Sequence, residues 1–341
     1  MSTSPPEGPG PVVTVLVMAY NHQEYLAEAL DSILAQDFSE PFEILIGEDC
    51  STDDTLAIAE SYARSHPDKV RVISSSTNVG MHANHRRLLV QSRGEYVAYC
   101  EGDDYWASPS KLSRQVAQLR SNPVLSGVHS DVDHLVTRDG RPTVFEAFWS
   151  TSLPQMGTTT TFDDLIRRNT IQTCSVMLRG EVARAFAGSP LDLAEYSVGD
   201  WPLFLHVSAH GPFGFDPSSL AVYRKVEGSA TNQGVAAAER RIADQFRLTT
   251  DAARLHPAAP DAVEAGKSET LWNLVVLALR SGDHEMLSRW LDRDPPVATF
   301  TMRLRCLQLA TKAPPLFRLT GLYFRSVEVV SMRRRYRDVP T

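Results

Sequence analysis

Tyr99-Cys100-Glu101-Gly102-Asp103-Asp104-Tyr105-Trp106 sets three carboxylates within four positions, directly after an apolar run, Tyr96 to Tyr99, that crowds like a strand entering a core. Acids packed this closely repel one another unless a cation sits among them. Hard divalent cations such as Mg2+ and Mn2+ prefer carboxylate oxygens and keep coordination positions for a phosphate. A solvated acidic turn would read the same in isolation, so the surrounding chain has to decide.

Upstream of this stretch, strand and helix alternate. Val12 to Met18 is a β-branched run, too short and too uniformly apolar for a surface helix, and it predicts a central parallel strand. Ala19-Tyr20-Asn21-His22 breaks it, and Glu24 to Gln36 then sets Leu26, Ala29, Leu30, Ile33 and Leu34 at helical spacing. Phe42 to Gly47 predicts a second strand running into Glu48-Asp49, followed by a helix over Thr55 to Ser65. Val70 to Ile73 predicts a third strand ending in Ser74 to Asn78, followed by a helix from Met81 to Ser92. This alternation predicts an open, mostly parallel α/β sheet flanked by helices.

Such sheets bind ligands outside the carboxyl ends of their strands. Tyr20-Asn21, Glu48-Asp49, Ser74 to Asn78 and Glu101 to Asp104 all fall at such ends, which predicts one shared crevice. No G-x-G-x-x-G follows the first strand and no G-x-x-x-x-G-K-[ST] is present, so neither a dinucleotide cofactor nor a nucleoside-triphosphate loop is supported. A phosphate in this crevice would be neutralised by a metal or by arginine, and Arg86 and Arg87 on the third helix are the candidates. Asp49, at a strand end, is placed to accept hydrogen bonds from a base or a ribose hydroxyl.

V-T-V-L-V-M-A-Y-N at Val13 to Asn21, G-E-D-C-S-T-D-D-T at Gly47 to Thr55, N-V-G at Asn78 to Gly80 and G-E-Y-V-A-Y-C-E-G-D-D-Y-W at Gly94 to Trp106 together resemble an inverting family 2 glycosyltransferase with the GT-A (Rossmann-like) fold. The resemblance implies a nucleotide-diphosphate sugar donor, a UDP-sugar, and Mg2+ or Mn2+ as cofactor. It implies donor contacts from Ala19, Tyr20, Asn21, Glu24, Asp49, Asn78, Arg86, Glu101, Gly102 and Asp103, with Asp49 at the nucleobase and Tyr20 packed near it. Glu101-Gly102-Asp103 occupies the family's D-x-D position, with Asp103 as the metal-contacting acid. Glu101 stands where Asp is more frequent, and its longer arm reaches a ribose or a metal-bound water.

Downstream, a helix from about Lys111 to Leu119 leads to a strand at Val128 to Val132, and Asn169 to Arg179 predicts another strand with a polar lead-in, resembling the stretch that lines the acceptor side. Gly199-Asp200-Trp201 reads by itself as a helix N-cap before Pro202. By the resemblance Asp200 is the base that deprotonates the acceptor, with Glu195 as a weaker stand-in. His206 and His210 share an i, i+4 spacing, but the glutamate of H-E-x-x-H is absent and a structural pair is the simpler reading. Phe213 to Tyr223 predicts a closing strand, and Tyr223-Arg224 resembles the family's closing motif. Val226 stands where many relatives carry a histidine, which leaves Arg224 or Lys225 to supply positive charge, or a metal-bound water to fill the gap.

The expected organisation is a disordered leader over 1–11, a GT-A domain over 12–232 and a C-terminal helical domain with a basic tail over 233–341. In the last domain, helices are expected over Ala237 to Leu255, Ala262 to Arg280, Glu285 to Leu291 and Met302 to Thr311, with prolines between them. The net charge of −7 gives no reason to expect nucleic-acid binding. Four scattered cysteines without C-x-x-C spacing indicate neither zinc nor a disulfide framework and suit a cytoplasmic protein. No run approaches the roughly 20 apolar residues of a membrane span. The Arg-rich, aromatic segment Leu316 to Tyr336 reads either as a peripheral membrane contact or as a helix packed on the body; liposome flotation of full-length and tail-deleted chains separates the two. The acceptor is a glycan, a lipid-linked or a small-molecule hydroxyl, and self-association would run through the helical domain. Two rival readings stay open: a sugar-nucleotide pyrophosphorylase, and a non-catalytic sugar-nucleotide-binding partner subunit.

Overall fold

A computed structural model describes residues 10–138, 140–153, 157–225, 234–283, 285–286 and 289–290. The first strands and helices alternate as β1 (Val13–Ala19), α1 (Leu26–Leu34), β2 (Phe42–Glu48), α2 (Thr55–Ser65), β3 (Val70–Ser74), α3 (Met81–Gln91) and β4 (Tyr96–Tyr99). The four strands are parallel neighbours in the order β3-β2-β1-β4. β2 is buried along its whole length and β1 nearly so, because both faces of a parallel sheet are covered; that is why their sequences are continuous apolar runs. The path steps outward from β1 to β3 and then returns to β4 on the other side of β1, a reversal that under the right-handed crossover rule moves the connecting helix to the opposite face. This puts α1 and α2 on one face and α3 on the other, packed across β2 and β1. The reversal of direction lies between β1 and β4, where an open α/β sheet opens its ligand crevice.

The close packing has a sequence requirement at Gly94, on the turn into β4. A Cβ there would stand 2.4 Å from the Thr14 backbone nitrogen and 2.5 Å from the Tyr96 carbonyl oxygen. Backbone atoms have no room to give, so only glycine fits.

The chain continues through β5 (Tyr105–Trp106), α4 (Lys111–Ser121), β6 (Gly127–Arg138), β7 (Arg141–Phe145), α5 (Phe148–Ser152), β8 (Thr159–Thr160), α6 (Phe162–Arg167), β9 (Met177–Arg179), α7 (Gly180–Phe186), α8 (Pro190–Leu193), α9 (Trp201–Ser208) and β10 (Phe213–Lys225). β9 pairs antiparallel with both β4 and β6, and β10 runs parallel to β6, extending the sheet to ten strands. β10 loses register with β6 between Asp216 and Ala221. Pro217 lies in this interval and has no N–H to donate to a ladder.

The strand expected from Asn169 to Arg179 is mostly not a strand. Residues Thr173–Ser175 form a 3-10 turn and only Met177–Arg179 pair in the sheet. Short polar side chains divert the backbone: Asn169 Oδ1 accepts from Ile171 N at 3.0 Å, and Ser175 donates to the Gln172 carbonyl from its hydroxyl at 2.7 Å and from its N–H at 3.0 Å.

Two compact units emerge, one of residues 1–165 and 169–229, the other of 166–168 and 230–341. The second holds α10 (Gly234–Leu255) and α11 (Pro260–Ser281), which bury Ile242, Leu274, Val275, Ala278 and Leu279. Pro260 at the first turn and Gly282 at φ 73° past the last bound α11, the usual start and stop chemistry. Of the helix expected over Glu285 to Leu291, residues 285–286 and 289–290 are described and helical. The leader over 1–9, Val226, the helix expected over Met302 to Thr311 and the basic segment Leu316 to Tyr336 lie outside the described residues. Among the described residues no helix is long and apolar enough to cross a membrane.

Candidate active site

The loops after β1 and β2 are laced together. Asn21 takes a left-handed backbone, φ 55°, and its Oδ1 accepts from Thr52 N at 2.9 Å while its own N–H donates to Ser51 Oγ at 3.0 Å. His22 N donates to Thr55 Oγ1 at 2.8 Å. The Asn21 carboxamide therefore serves first to hold the loop. Tyr20, 43% exposed, stands at the mouth, with Ala19 buried at the end of β1 and Glu24 exposed beside Tyr25.

Asp49 is buried at the end of β2, where its two carboxylate oxygens accept the N–H groups of Val79 and Gly80, each at 2.9 Å. Asn78 is exposed and its Oδ1 also accepts from Gly80 N, at 3.1 Å. The carboxylate thus fixes the start of α3, and each of its oxygens keeps a second lone pair for a ligand.

The acidic turn is anchored where Gly102 N donates to the Met18 carbonyl at 3.0 Å. A Cβ on Gly102 would lie 2.6 Å from His22 Nδ1 and 3.1 Å from that carbonyl, so the imidazole packs directly on the glycine between Glu101 and Asp103. Asp104 is fully buried, and its Oδ1 accepts from Arg224 N at 2.8 Å. The Arg224 guanidinium donates to the Asp103 carbonyl at 2.8 Å and to Glu28 at 2.6 Å, and lies over the Tyr25 ring. It is therefore spent on backbone and on Glu28.

Glu101 and Asp104 are both held well above the usual carboxylate range, Glu101 first by burial and then by Asp104 and Asp103, Asp104 first by burial and then by Asp103. Asp200 adds to the rise of Glu101, which places the two acids in one electrostatic neighbourhood, and the Thr173 hydroxyl bonds to Glu101. At the start of α9, Asp200 Oδ1 accepts from Trp201 N at 2.7 Å, and Oδ2 receives Asn169 Nδ2 at 3.3 Å and Thr173 Oγ1 at 3.4 Å. Burial raises its carboxyl as well, against the opposing pull of those hydrogen bonds. Asp200 is both the N-cap that its sequence suggested and a member of the acidic neighbourhood.

Arg86 is not brought to the acids of the turn. Its Nε donates to Asp192 Oδ2 at 2.6 Å, and that pairing lifts the guanidinium further above its ordinary range. Arg87 donates to Asn84 Oδ1 at 2.9 Å and to the Glu48 carbonyl at 2.5 Å. Asn169 and Thr173 escaped the sequence reading as site residues. Their signal was the run of short polar residues that breaks the expected strand.

The donor set suits a hard divalent cation: carboxylates crowded in low dielectric, two of them pushed toward their neutral forms for want of compensating charge. Among the described residues no group of three or more His, Cys, Asp or Glu side chains is arranged to hold a metal ion alone. Phosphate oxygens and water would complete the coordination, as they do for Mg2+ sites generally.

Residues 14–181 match the sequence model of the family described as Glycosyl transferase family 2. The uncharacterized protein Rv1520 of Mycobacterium tuberculosis is 35% identical over 214 residues, covering 62% of this chain and 58% of that protein; the chain thus spans less than two thirds of that relative. The structure of S. aureus TarS 1-349 in complex with UDP-GlcNAc superposes with a TM-score of 0.62 at 19% identity, over 92% of this chain and 91% of the other. The mannosyltransferase PcManGT from Pyrobaculum calidifontis, in complex with GDP-Man and Mn2+, gives 0.60 at 17% identity, over 96% and 88%. At these identities the structural likeness establishes the fold, which is GT-A.

Proposed function

We propose, from the match of residues 14–181 to the Glycosyl transferase family 2 model, that the chain moves a sugar from a nucleotide-diphosphate sugar, a UDP-sugar, to an acceptor hydroxyl with inversion at the anomeric carbon. The observation that carries the reading is that Glu101 and Asp200, both half-buried, meet at the Thr173 side chain beside Asp103. In a single displacement, Asp200 takes the acceptor proton while the hydroxyl oxygen attacks the anomeric carbon and the bond to the diphosphate breaks on the opposite face. Asp200 Oδ1 is committed to Trp201 N, whereas among the described residues Oδ2 has the long contacts from Asn169 and Thr173 and is the oxygen placed to take the proton.

At the other end, Asp49 and Tyr20 receive the nucleobase and Glu101 the ribose. Mg2+ or Mn2+ held through Asp103 would offset the charge of the departing diphosphate. Support for a UDP donor comes from the structural neighbour that binds UDP-GlcNAc, and support for a metal from the neighbour that carries Mn2+. The test is isothermal titration of UDP with and without Mn2+. Asp103→Ala is expected to abolish the Mn2+-dependent gain in affinity while leaving the far-UV circular dichroism unchanged. A variant that still binds UDP more tightly with Mn2+ would remove Asp103 from the metal site.

A further inference from the structure

Helix α3 has two working faces. Toward β2 it is tied to the strand end that bears Asp49: Val79 and Gly80 donate to that carboxylate, Asn84 Nδ2 donates to the Gly47 carbonyl at 2.8 Å, and Arg87 to the Glu48 carbonyl. On its other side it grips the segment that delivers Asp200. There Arg86 Nε donates to Asp192 Oδ2 at 2.6 Å, His82 Nε2 bonds the Tyr196 carbonyl at 2.7 Å, and the Met81 thioether lies against Gly199.

The gripped segment has little regular structure of its own. Between α7 and α9 it contains only α8, four residues long. Asp192 is 2% exposed, and the same Oδ2 that meets Arg86 accepts Gly188 N at 2.7 Å. Ser189 Oγ accepts from Asp192 N, and Glu195 is held at φ 48°, a left-handed conformation that costs a side-chain-bearing residue energy unless its surroundings impose it. Side-chain contacts to α3 therefore fix the path of residues 188–200. Removing the Arg86 guanidinium would leave a buried carboxylate without its counter-charge, with only the Gly188 amide on that oxygen, and removing Asp192 would release both the arginine and the Gly188 amide.

We propose that Arg86 with Asp192, and His82 with the Tyr196 carbonyl, form a latch through which α3 positions Asp200, so that Arg86 is a positioning residue and not a donor contact. The proposal rests on the reading of Asp200 as the base. Through α3 the latch ties the strand end at the nucleotide side of the crevice to the segment that carries the base, and a shift at either end is felt at the other.

The test compares Arg86→Ala, Asp192→Ala and the double variant by three readouts: UDP affinity by titration calorimetry, turnover of a UDP-sugar, and hydrogen–deuterium exchange of residues 188–200. The latch predicts UDP affinity within about twofold of wild type in all three. It predicts a loss of kcat on the order of a hundredfold in each single variant, since small misplacements of a reacting group cost that much. The double variant should be no worse than the poorer single one, and exchange over 188–200 should be faster in all three. Arg86→Lys, which keeps the cation, should recover part of kcat and of the protection, and it serves if the alanine variants fail to fold. Loss of UDP affinity in Arg86→Ala but not in Asp192→Ala would overturn the latch in favour of a direct phosphate contact, and unchanged exchange would overturn it outright. If Asp200→Asn keeps full turnover while exchange over 188–200 still quickens in Arg86→Ala, the assignment of the base is wrong and the latch itself stands.

Discussion

Asp200 caps a helix and, in the proposed function, is also the base. Its Oδ1 caps α9 through Trp201 N, and burial raises its pKa above that of an ordinary aspartate, about 3.9. A base must be ionised to work, so activity is lost as pH falls through the pKa of the base, and a raised value moves that loss to higher pH. The acidic limb of kcat/KM against pH should therefore lie above the ordinary aspartate range. Thr173→Val, which removes one hydrogen bond that favours the ionised form, should move it higher still; a limb that stays in place would argue that another group sets it. The proposed roles of Asp103 and Asp200 come from short motifs that the sequence displays directly. The contacts of Asn21, Asp49 and Arg86 were not legible there, since their partners lie 30 to 106 positions away and only the folded chain introduces them.

At the scale of elements, β1, β2 and β4 were legible from their apolar runs, because burial on both faces leaves no other pattern, whereas β3 at the sheet edge buries only Val70. The segment from Asn169 to Arg179 was misread as a strand because local side-chain bonds outcompete the ladder there. Helix α4 hides a feature that periodicity could not announce. Lys111 is fully buried, its ammonium donates to Gln115 Oε1 at 2.8 Å and lies 4.4 Å from the Trp106 ring centroid, and Gln115 Nε2 donates to the Ser175 carbonyl at 2.7 Å. Burial lowers the lysine to about 7, against about 10.4 in an unfolded chain. Between those values the unfolded state binds the extra proton, so this group makes stability rise with pH over that window, by up to roughly 1.4 kcal/mol per unit. Denaturant unfolding from pH 7 to 10 should show that rise in wild type, and Lys111→Met should show a shallower one. Parallel slopes in the two proteins would contradict the assignment.

Across the whole molecule, the acidic turn is a place where crowded carboxylates weigh against stability. Glu101 and Asp104 have folded pKa values above their unfolded ones, so the folded state binds more protons and their contribution to stability falls as pH rises through that interval. A cation bound among them removes part of the penalty. The melting temperature should therefore rise on adding Mn2+, and by more at pH 7.5 than at pH 5 if those acids are the site; an equal rise at both values would point elsewhere. The acceptor was not legible at any scale, because no spacing rule encodes the loops that would select it.

In the proposed function this chain is a glycosyltransferase whose base is Asp200. This is tested most directly by measuring UDP release from a UDP-sugar, with Mn2+ and a panel of hydroxyl acceptors, in wild type and Asp200→Asn. The expected result is turnover by wild type and a loss of about 10²- to 10⁴-fold in the variant, the usual worth of a general base, with UDP-sugar binding intact. Full turnover by Asp200→Asn would contradict it.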